Sequence, residues 1–376
     1  MGARYSTAAL LLALALAPNP GQAASAPAPI VTSQHSFVLS EVVSGLEHAW
    51  GFDWLPDGRM LVTERPGRLR IVTAEGTLSA PLSGLPEIVS EFRDGLLDIA
   101  VSPGFAEDGT VYFSYSHKEG DKRWLIVAAA RLEGEGLSDL RTLHEAEVKV
   151  AKDQGFGSRI RFDGGGALLV SVGDHAVPPT AQDTSNTLGT LIRISPDGTP
   201  LADNPGAGLH PAIYAYGFKN PQGLTVDPES GTIWALDHGG SGGGEVNRIE
   251  RGANYGWPVR TFSGGDAPRA VATGEFIDPA FTWGAAPTVA PSGLALYSGA
   301  DFPAWQGDLF VGSLTQEALI RIMLNDSGAV IGTEYVLDGE LGRVREVRQG
   351  PDGRLYVAND APEGGIYRLD PAKTVQ

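Results

Sequence analysis

The 376-residue sequence contains no cysteine, so disulfide bonds cannot stabilise the fold and a lipid cannot be attached through a cysteine. Basic residues are also scarce, because 28 Lys and Arg stand against 45 Asp and Glu and give a formal charge of −17 at pH 7. Polyanions repel such a protein unless a basic block offsets the field, and the sequence has no such block. Nucleic acids and anionic membranes are therefore not expected as partners.

Long hydrophobic runs are missing except for an apolar stretch from about Ala8 to Ala17. This stretch follows Arg4 and precedes small residues at Ala24 and Ala26, which is typical of a cleavable export signal and too short for a membrane anchor. We predict a signal peptide over residues 1–24, a flexible tail over residues 25–36, and a soluble periplasmic or secreted protein without a membrane anchor.

The remaining sequence shows no helical periodicity, whereas short β-branched and aromatic runs bounded by Gly, Asp and Pro recur throughout. Six units combine a polar tight turn containing Gly with an alternating apolar strand, and they begin at Leu55, Phe105, Phe162, Val226, Phe302 and Gly350. Their separation of roughly 45 to 75 residues fits one four-stranded blade with its loops. We predict an all-β fold, a six-bladed β-propeller with four-stranded antiparallel blades over residues 37–371; a pair of β-sandwiches is the alternative.

One further strand-like segment, "HSFVLSEVV", precedes the first of these units. A propeller has to close its ring, and closure removes exposed strand edges. We therefore predict that this segment pairs into the last blade.

Polar stretches flank several predicted strands, and in a propeller such loops converge around the central channel on one face. The stretches are "DQGFGSR" with "VGDHAVPPTAQD", "YGFKNPQGL", "LDHGGSGGGEVNRIERGANYGWP" and "GRVREVRQGPDG". We predict that they form a single site.

Several phrases between about His48 and Leu369 also occur, in the same order, in a known family. They include "HAWGFDWLPDGRMLVTERPGRLRIV", "GSRIRFD", "AQDTSNTLGTLIRISPDG", "YGFKNPQGLTVDP", "GGEVNRIERGANYGWP" and "REVRQGPDGRLYV". The chain resembles the soluble pyrroloquinoline quinone (PQQ)-dependent sugar dehydrogenases, of the aldose sugar or glucose/sorbosone type. The resemblance implies a six-bladed propeller that oxidises an aldose at its anomeric carbon, with hydride passing to the quinone while a base removes the hydroxyl proton.

The same resemblance implies which residues hold the cofactor and its calcium ion. Arg343 and Arg345 match the family's pair of cofactor-binding arginines, which suit a ligand with three carboxylates. Gly239 and Gly240 match the position where two backbone carbonyls bind calcium, although Gly240 replaces the family's proline.

Four positions depart from the family pattern. Gly155 stands where the family has its catalytic histidine, and a glycine side chain cannot accept a proton. Lys219 replaces an arginine that lies against the cofactor, Arg93 replaces a glutamine, and Thr315 replaces a lysine. Lysine keeps the charge but loses the planar fork of arginine.

Two histidines are candidates for the missing base. His175 follows Asp174, which matches a family aspartate, and His238 precedes the predicted calcium loop. We predict Lys219, Asn220, Asp174 and His175 as catalytic residues, and Arg343, Arg345, Lys219 and Arg93 as cofactor-binding residues.

The sequence leaves three functions open. The first is a PQQ- and calcium-dependent sugar dehydrogenase with a diverged site, which would use a sugar substrate and a periplasmic electron acceptor as a monomer or homodimer. The second is an inactive propeller that binds a carbohydrate or another ligand. The third is a calcium-dependent hydrolase of the lactonase kind, which would need several acidic side chains on the metal.

Overall fold

The structure is a computed structural model, and it describes residues 28–91, 93–151, 155–206, 208–240, 243–262, 276–284 and 288–372. The predicted signal peptide lies outside these residues. No helix in the described part of the chain is long and apolar enough to cross a lipid bilayer.

Strands dominate the described residues, and helices are limited to single turns. In chain order the strands are β1 (Ile30–Val31), β2 (Ser36–Leu46), β3 (Ala49–Trp54), β4 (Met60–Glu64), β5 (Arg68–Val72), β6 (Leu96–Val101), β7 (Thr110–Glu119), β8 (Lys122–Glu133), β9 (Gly136–Glu145), β10 (Gly157–Phe162), β11 (Leu168–Val172), β12 (Thr190–Ile194), β13 (Ile213–Tyr216), β14 (Pro221–Val226), β15 (Ile233–Asp237), β16 (Glu245–Ile249), β17 (Phe281–Thr282), β18 (Pro291–Leu296), β19 (Leu309–Ser313), β20 (Ala318–Leu324), β21 (Val330–Asp338), β22 (Val344–Gln349), β23 (Leu355–Asn359) and β24 (Gly364–Pro371). The helical turns are α1 (Phe105–Asp108) and the 3₁₀ turns Pro178–Gln182 and Pro303–Trp305.

These strands form six antiparallel sheets, which confirms the predicted six-bladed propeller. Blades 2 to 5 each have four strands in sequence order: β6–β9, β10–β13, β14–β17 and β18–β21. Blade 1 consists of β3–β5, and blade 6 has five strands in the order β1-β2-β24-β23-β22. The first strands of successive blades, β3, β6, β10, β14, β18 and β22, contact one another around the ring.

All six turn-and-strand units predicted from the sequence lie at the same place, between the first and second strands of a blade. The first unit shows the cause: Asp57 accepts the backbone N–H of Arg59, and Gly58 adopts a φ of 87°, which suits glycine. The second strands, such as β4 and β19, are buried along their whole length because a neighbouring blade covers each face.

The ring is closed by β2, which pairs with β24 from Phe37 opposite Pro371 to Leu46 opposite Gly364. This confirms the closure predicted for "HSFVLSEVV". The flexible tail predicted for residues 25–36 is wrong from Ile30 onward, because β1 pairs with β2 and the Ser33 backbone N–H donates to Glu334 at 2.6 Å. Backbone pairing and side-chain contacts therefore hold this segment against blades 5 and 6.

Every first strand begins with a register shift, or β-bulge, against the second strand of its blade. Hydroxyl groups on the second strands hold three of these bulges to the next blade. Thr63, for example, accepts the N–H of Gly51 and donates to the carbonyl of Leu97 in blade 2 at 2.5 Å. Ser114 and Ser171 make the equivalent bridges from blades 2 and 3.

Deleting residues 1–43 is expected to abolish cooperative folding. The deletion removes β1 and most of β2, and it exposes the edge of β24 and the core around Phe302 and Trp305, against which Phe37 packs. Thermal unfolding followed by circular dichroism measures the effect, with a chain lacking only residues 1–27 as the control. An unchanged melting temperature in the longer deletion would show that ring closure does not depend on β2.

Candidate functional site

A cavity of about 260 Å³ lies at the end of the central channel where the first strands begin. Among its lining residues are Trp50, Leu97, Ser158, Gln222 and Arg345, each of which lies within the bulge of its own first strand. A bulge leaves a residue outside the regular ladder and re-aims its side chain. Five of the six bulges thus place one residue each on the cavity wall.

Arg343 and Arg345, predicted to bind an anionic cofactor, both line this cavity. Arg345 is buried and donates to Asp360 at 2.6 Å and to Gln222 at 2.8 Å. Arg343 is more exposed, donates to Asp360 at 3.3 Å and also to the carbonyl of Leu314. Both guanidinium groups are therefore held in place at the wall.

Residues from blade 1 join this group, and sequence reasoning missed them. Arg65 lines the cavity with Nη1 3.9 Å from an oxygen of Asp360, and His48 Nδ1 lies 2.6 Å from the same carboxylate. Burial acts to raise the pKa of Asp360, but the charge and hydrogen bond of Arg345, followed by the hydrogen bond of His48 and the charge of Arg65, hold this pKa well below its usual range. No local pattern could have identified the pair, since His48 and Asp360 are 312 positions apart.

The floor of the cavity is a buried network of charged side chains on the first strands. Arg159, fully buried, pairs with Glu346 and, at 3.0 Å, with Asp98. Arg161 and Arg348 contact the same two acids, and Arg348 also contacts Asp53. Three arginines therefore face three carboxylates. The guanidinium group of Arg159 lies 4.2 Å from the centre of the Trp50 ring. This balanced network closes the channel beneath Trp50.

Two other predicted site residues, Asn220 and Arg93, line the cavity, and three of the four positions that depart from the family lie there. Asn220 accepts the N–H of Gly157 through Oδ1 at 3.0 Å, which leaves its Nδ2 donor for a ligand. Arg93 lies at the wall together with Gly155 and Thr315. Gly155 has a φ of 77°, and a Cβ there would lie within 3.2 Å of Asp174 and Ala176, so this backbone does not readily accept a histidine.

Lys219 and Asp174 do not line the cavity but meet nearby at Trp257. The Lys219 ammonium lies 5.1 Å from the Trp257 ring centre, and Trp257 Nε1 donates to Asp174 at 2.8 Å. The backbone N–H of Asp174 donates to the carbonyl of Lys219 at 2.7 Å. Burial raises the pKa of Asp174 to about 6, so this carboxyl group titrates closer to neutrality than an exposed one.

The two candidate histidines differ in position. His175 is fully buried outside the cavity, with its ring 5.0 Å from Phe156, and burial lowers its pKa to about 4. His238 is the histidine that lines the cavity. Burial, followed by the nearby charges of Arg345 and Lys219, lowers the pKa of His238 to about 3, so its ring is neutral at physiological pH.

Two carboxylates lie beside the predicted calcium loop. Asp237, which accepts backbone N–H groups of Lys219 and Asn220, is directly opposite Glu245 on the neighbouring strand, and both are buried. Burial, and then the charge of Asp237, raises the pKa of Glu245 well above its usual value. Oδ1 of Asn247 is buried without a hydrogen-bond partner among the described residues.

Left-handed backbone conformations in residues other than glycine concentrate at this site. Ser158 and Ala290 line the cavity with φ of 83° and 47°, and His48, His175 and Ala176 adjoin it with φ between 49° and 58°. Such conformations cost free energy and persist where the surroundings impose them, most often at functional sites.

Comparisons with known proteins agree on one family. The family model for glucose/sorbosone dehydrogenase matches residues 46–368. Aldose sugar dehydrogenase YliI of Escherichia coli K12 is 37% identical over 346 residues, which cover 87% of this chain and 91% of the relative. An uncharacterized protein of Synechocystis is 40% identical over 355 residues, covering 88% of this chain and 85% of the relative.

Solved structures show the same likeness. The apo-form of the soluble aldose sugar dehydrogenase of E. coli superimposes with a TM-score of 0.83 at 36% identity, covering 89% of this chain and 100% of that one. The PQQ-bound aldose sugar dehydrogenase of Streptomyces coelicolor gives a TM-score of 0.74 at 27% identity, covering 89% of this chain and 98% of that one.

Replacing Asp174 with Asn is expected to change how stability depends on pH. The native carboxyl group, with a pKa of about 6 against an ordinary value of 3.8, binds its proton more tightly than in the unfolded chain. Wild-type stability therefore falls relative to D174N, by about 2 kcal/mol, as pH rises from about 4 to about 7. Urea unfolding between about pH 4 and about pH 7 measures the free energy of unfolding of each variant. D183N is the control, because a hydrogen bond from Ser185 lowers the pKa of the exposed Asp183, and this carboxyl group therefore stays ionised across that range. Parallel curves for wild type and D174N would contradict the assignment.

Proposed function

Because the chain belongs to the glucose/sorbosone dehydrogenase family, we propose that it is a PQQ-dependent sugar dehydrogenase that oxidises aldoses to lactones. The observation that carries the proposal is the charge of the cavity wall. Arg65, Arg343 and Arg345 all lie around the single carboxylate of Asp360, which leaves a formal surplus of two positive charges. Arginines concentrated in one cavity of a protein with a net charge of −17 favour the binding of a compact anion there.

The residues present fit a flat molecule with several carboxylates. Arg343 and Arg345 supply planar donor groups for carboxylates, Asn220 supplies an amide donor, and Trp50 supplies an aromatic side chain between Arg345 and Arg159. When bound, PQQ supplies the quinone that accepts hydride from the sugar. Lys219 is not among the residues that line the cavity, so we propose an indirect role for it, through Trp257 and the backbone.

Removal of the sugar hydroxyl proton needs a base at the cavity, and we assign this role to His238. Gly155 has no side chain, and His175 is separated from the cavity by Phe156. The His238 ring is neutral and lines the cavity. An anionic ligand against Arg345 would offset the positive charge that weakens this imidazole as a base.

We further propose that calcium binds at the loop containing Gly239 and Gly240. In this proposal the backbone carbonyls of Gly239 and Gly240 contribute ligands, since no three His, Asp or Glu side chains in the described part of the chain are arranged to hold a metal ion. Asp237, Glu245 and the unpaired Oδ1 of Asn247 supply the hard oxygen atoms that calcium prefers. Two buried carboxylates facing each other are unfavourable unless a cation or a proton lies near them.

We also propose that the protein is exported and passes its electrons to a periplasmic acceptor. The apolar segment at Ala8 to Ala17 with small residues after it supports export.

The central test is reconstitution. Purified protein supplied with PQQ and calcium is expected to reduce an artificial electron acceptor when an aldose is added. H238N should lower kcat by about 100-fold or more, as loss of a general base does, whereas H175N should change it by no more than a few-fold. Stopped-flow and steady-state kinetics measure both.

Other outcomes separate the alternatives. Tight PQQ binding without turnover would indicate an inactive ligand-binding propeller, and no PQQ binding would reject the cofactor. Loss of activity in H175N with activity kept in H238N would return the base to His175.

Calcium is expected to raise the melting temperature by a few degrees at concentrations far above its Kd. E245Q should lose this increase and, without calcium, melt higher than the wild type, because the substitution removes one of two facing carboxylates. Differential scanning calorimetry with calcium or magnesium measures both effects. An equal calcium shift in wild type and E245Q would place the ion elsewhere.

A further inference from the structure

Asp360 is the point at which the cationic side chains of the cavity wall meet. It follows β23 in the last blade, and its side chain is 3% exposed. One carboxylate oxygen faces His48 and Arg65 of blade 1, and the other accepts from Arg343 and Arg345 of blade 6. Asp360 does not line the cavity itself. The carboxylate therefore lies behind the arginines.

We infer that Asp360 is a positioning residue, which fixes the guanidinium groups of Arg343 and Arg345 in the arrangement that binds the anionic cofactor. The inference rests on the proposed function for the identity of the ligand. Its structural basis is independent of that identity, because Asp360 and Gln222 together hold two of the nitrogens of Arg345 at 2.6 and 2.8 Å.

His48 in turn orients the carboxylate. It has a left-handed φ of 52°, its N–H donates to the carbonyl of Ala361, and its Nδ1 lies 2.6 Å from Asp360. Such a conformation persists where the surroundings impose it, and the contact with Asp360 is one of those that hold His48. His48 follows directly after β2, so the strand that closes the ring also brings this histidine to the arginine pair.

The charge of Asp360 and its role as an anchor predict opposite effects of its substitution on anion binding, which makes the inference testable. Removing the negative charge of Asp360 raises the positive charge of the cavity, and this alone would strengthen the binding of an anion. Loss of the anchor would leave Arg343 held by the carbonyl of Leu314 and Arg345 by Gln222, and this looser hold would weaken the binding. D360N removes the charge at nearly constant shape, whereas D360E keeps the charge and moves it by one methylene.

Isothermal titration with PQQ at saturating calcium is the first experiment. We expect D360N and D360E each to raise the Kd by about tenfold or more, in line with the loss of a charge-assisted bond. The matched control is D308N, since Asp308 is similarly buried and accepts from Arg321 at 2.6 Å, but lies outside the cavity. Its Kd should stay within about twofold of the wild type. Binding by D360N that equals or exceeds that of the wild type would overturn the inference.

Crystal structures of the variants without cofactor give a second readout. The guanidinium groups of Arg343 and Arg345 should leave their wild-type positions in D360N, or in D360E if D360N does not fold. Unmoved arginines would overturn the inference whatever the affinities. If the wild type does not bind PQQ, the proposed cofactor is wrong, and the arginine positions alone decide the role of Asp360.

Discussion

The bulge at the start of each first strand is the constraint on which the cavity depends. Regular pairing would turn alternate residues into the contacts between blades, whereas the extra residue in a bulge faces the channel. Trp50, Ser158 and Arg345 reach the cavity in this way. The hydroxyl bridges from Thr63, Ser114 and Ser171 keep successive bulges at fixed distances, so the cavity keeps its form without disulfides.

Ring closure and the proposed ligand site share one small group of residues. β2 completes blade 6, and His48, which follows β2, contacts the same carboxylate of Asp360 that accepts a hydrogen bond from Arg345. The first and last blades are therefore connected twice, by strand pairing at the periphery and by a buried carboxylate near the axis. The fold and the proposed site are not independent parts of this molecule.

The fold could be predicted because its signal is local: each turn and the strand after it lie within about twenty residues, and the unit recurs six times. Arg343 and Arg345 could be found because their motif is contiguous. The position of His175 could not be predicted, because the left-handed conformations of His175 and Ala176 place its ring behind Phe156. Asp360 and Arg65 were missed because their contacts join the two ends of the chain, and no periodicity reports such a contact.

The charged floor has a consequence for the order of events. Arg159, Asp98 and Glu346 fill the channel with fully buried side chains, so nothing can pass along the axis to the opposite face. The cavity is a dead end, and ligands that share it stack from the bottom upward. With the two ligands proposed above, the cofactor would have to enter before the sugar and could leave only after it. Bound substrate would thereby retain the cofactor in the cavity during turnover.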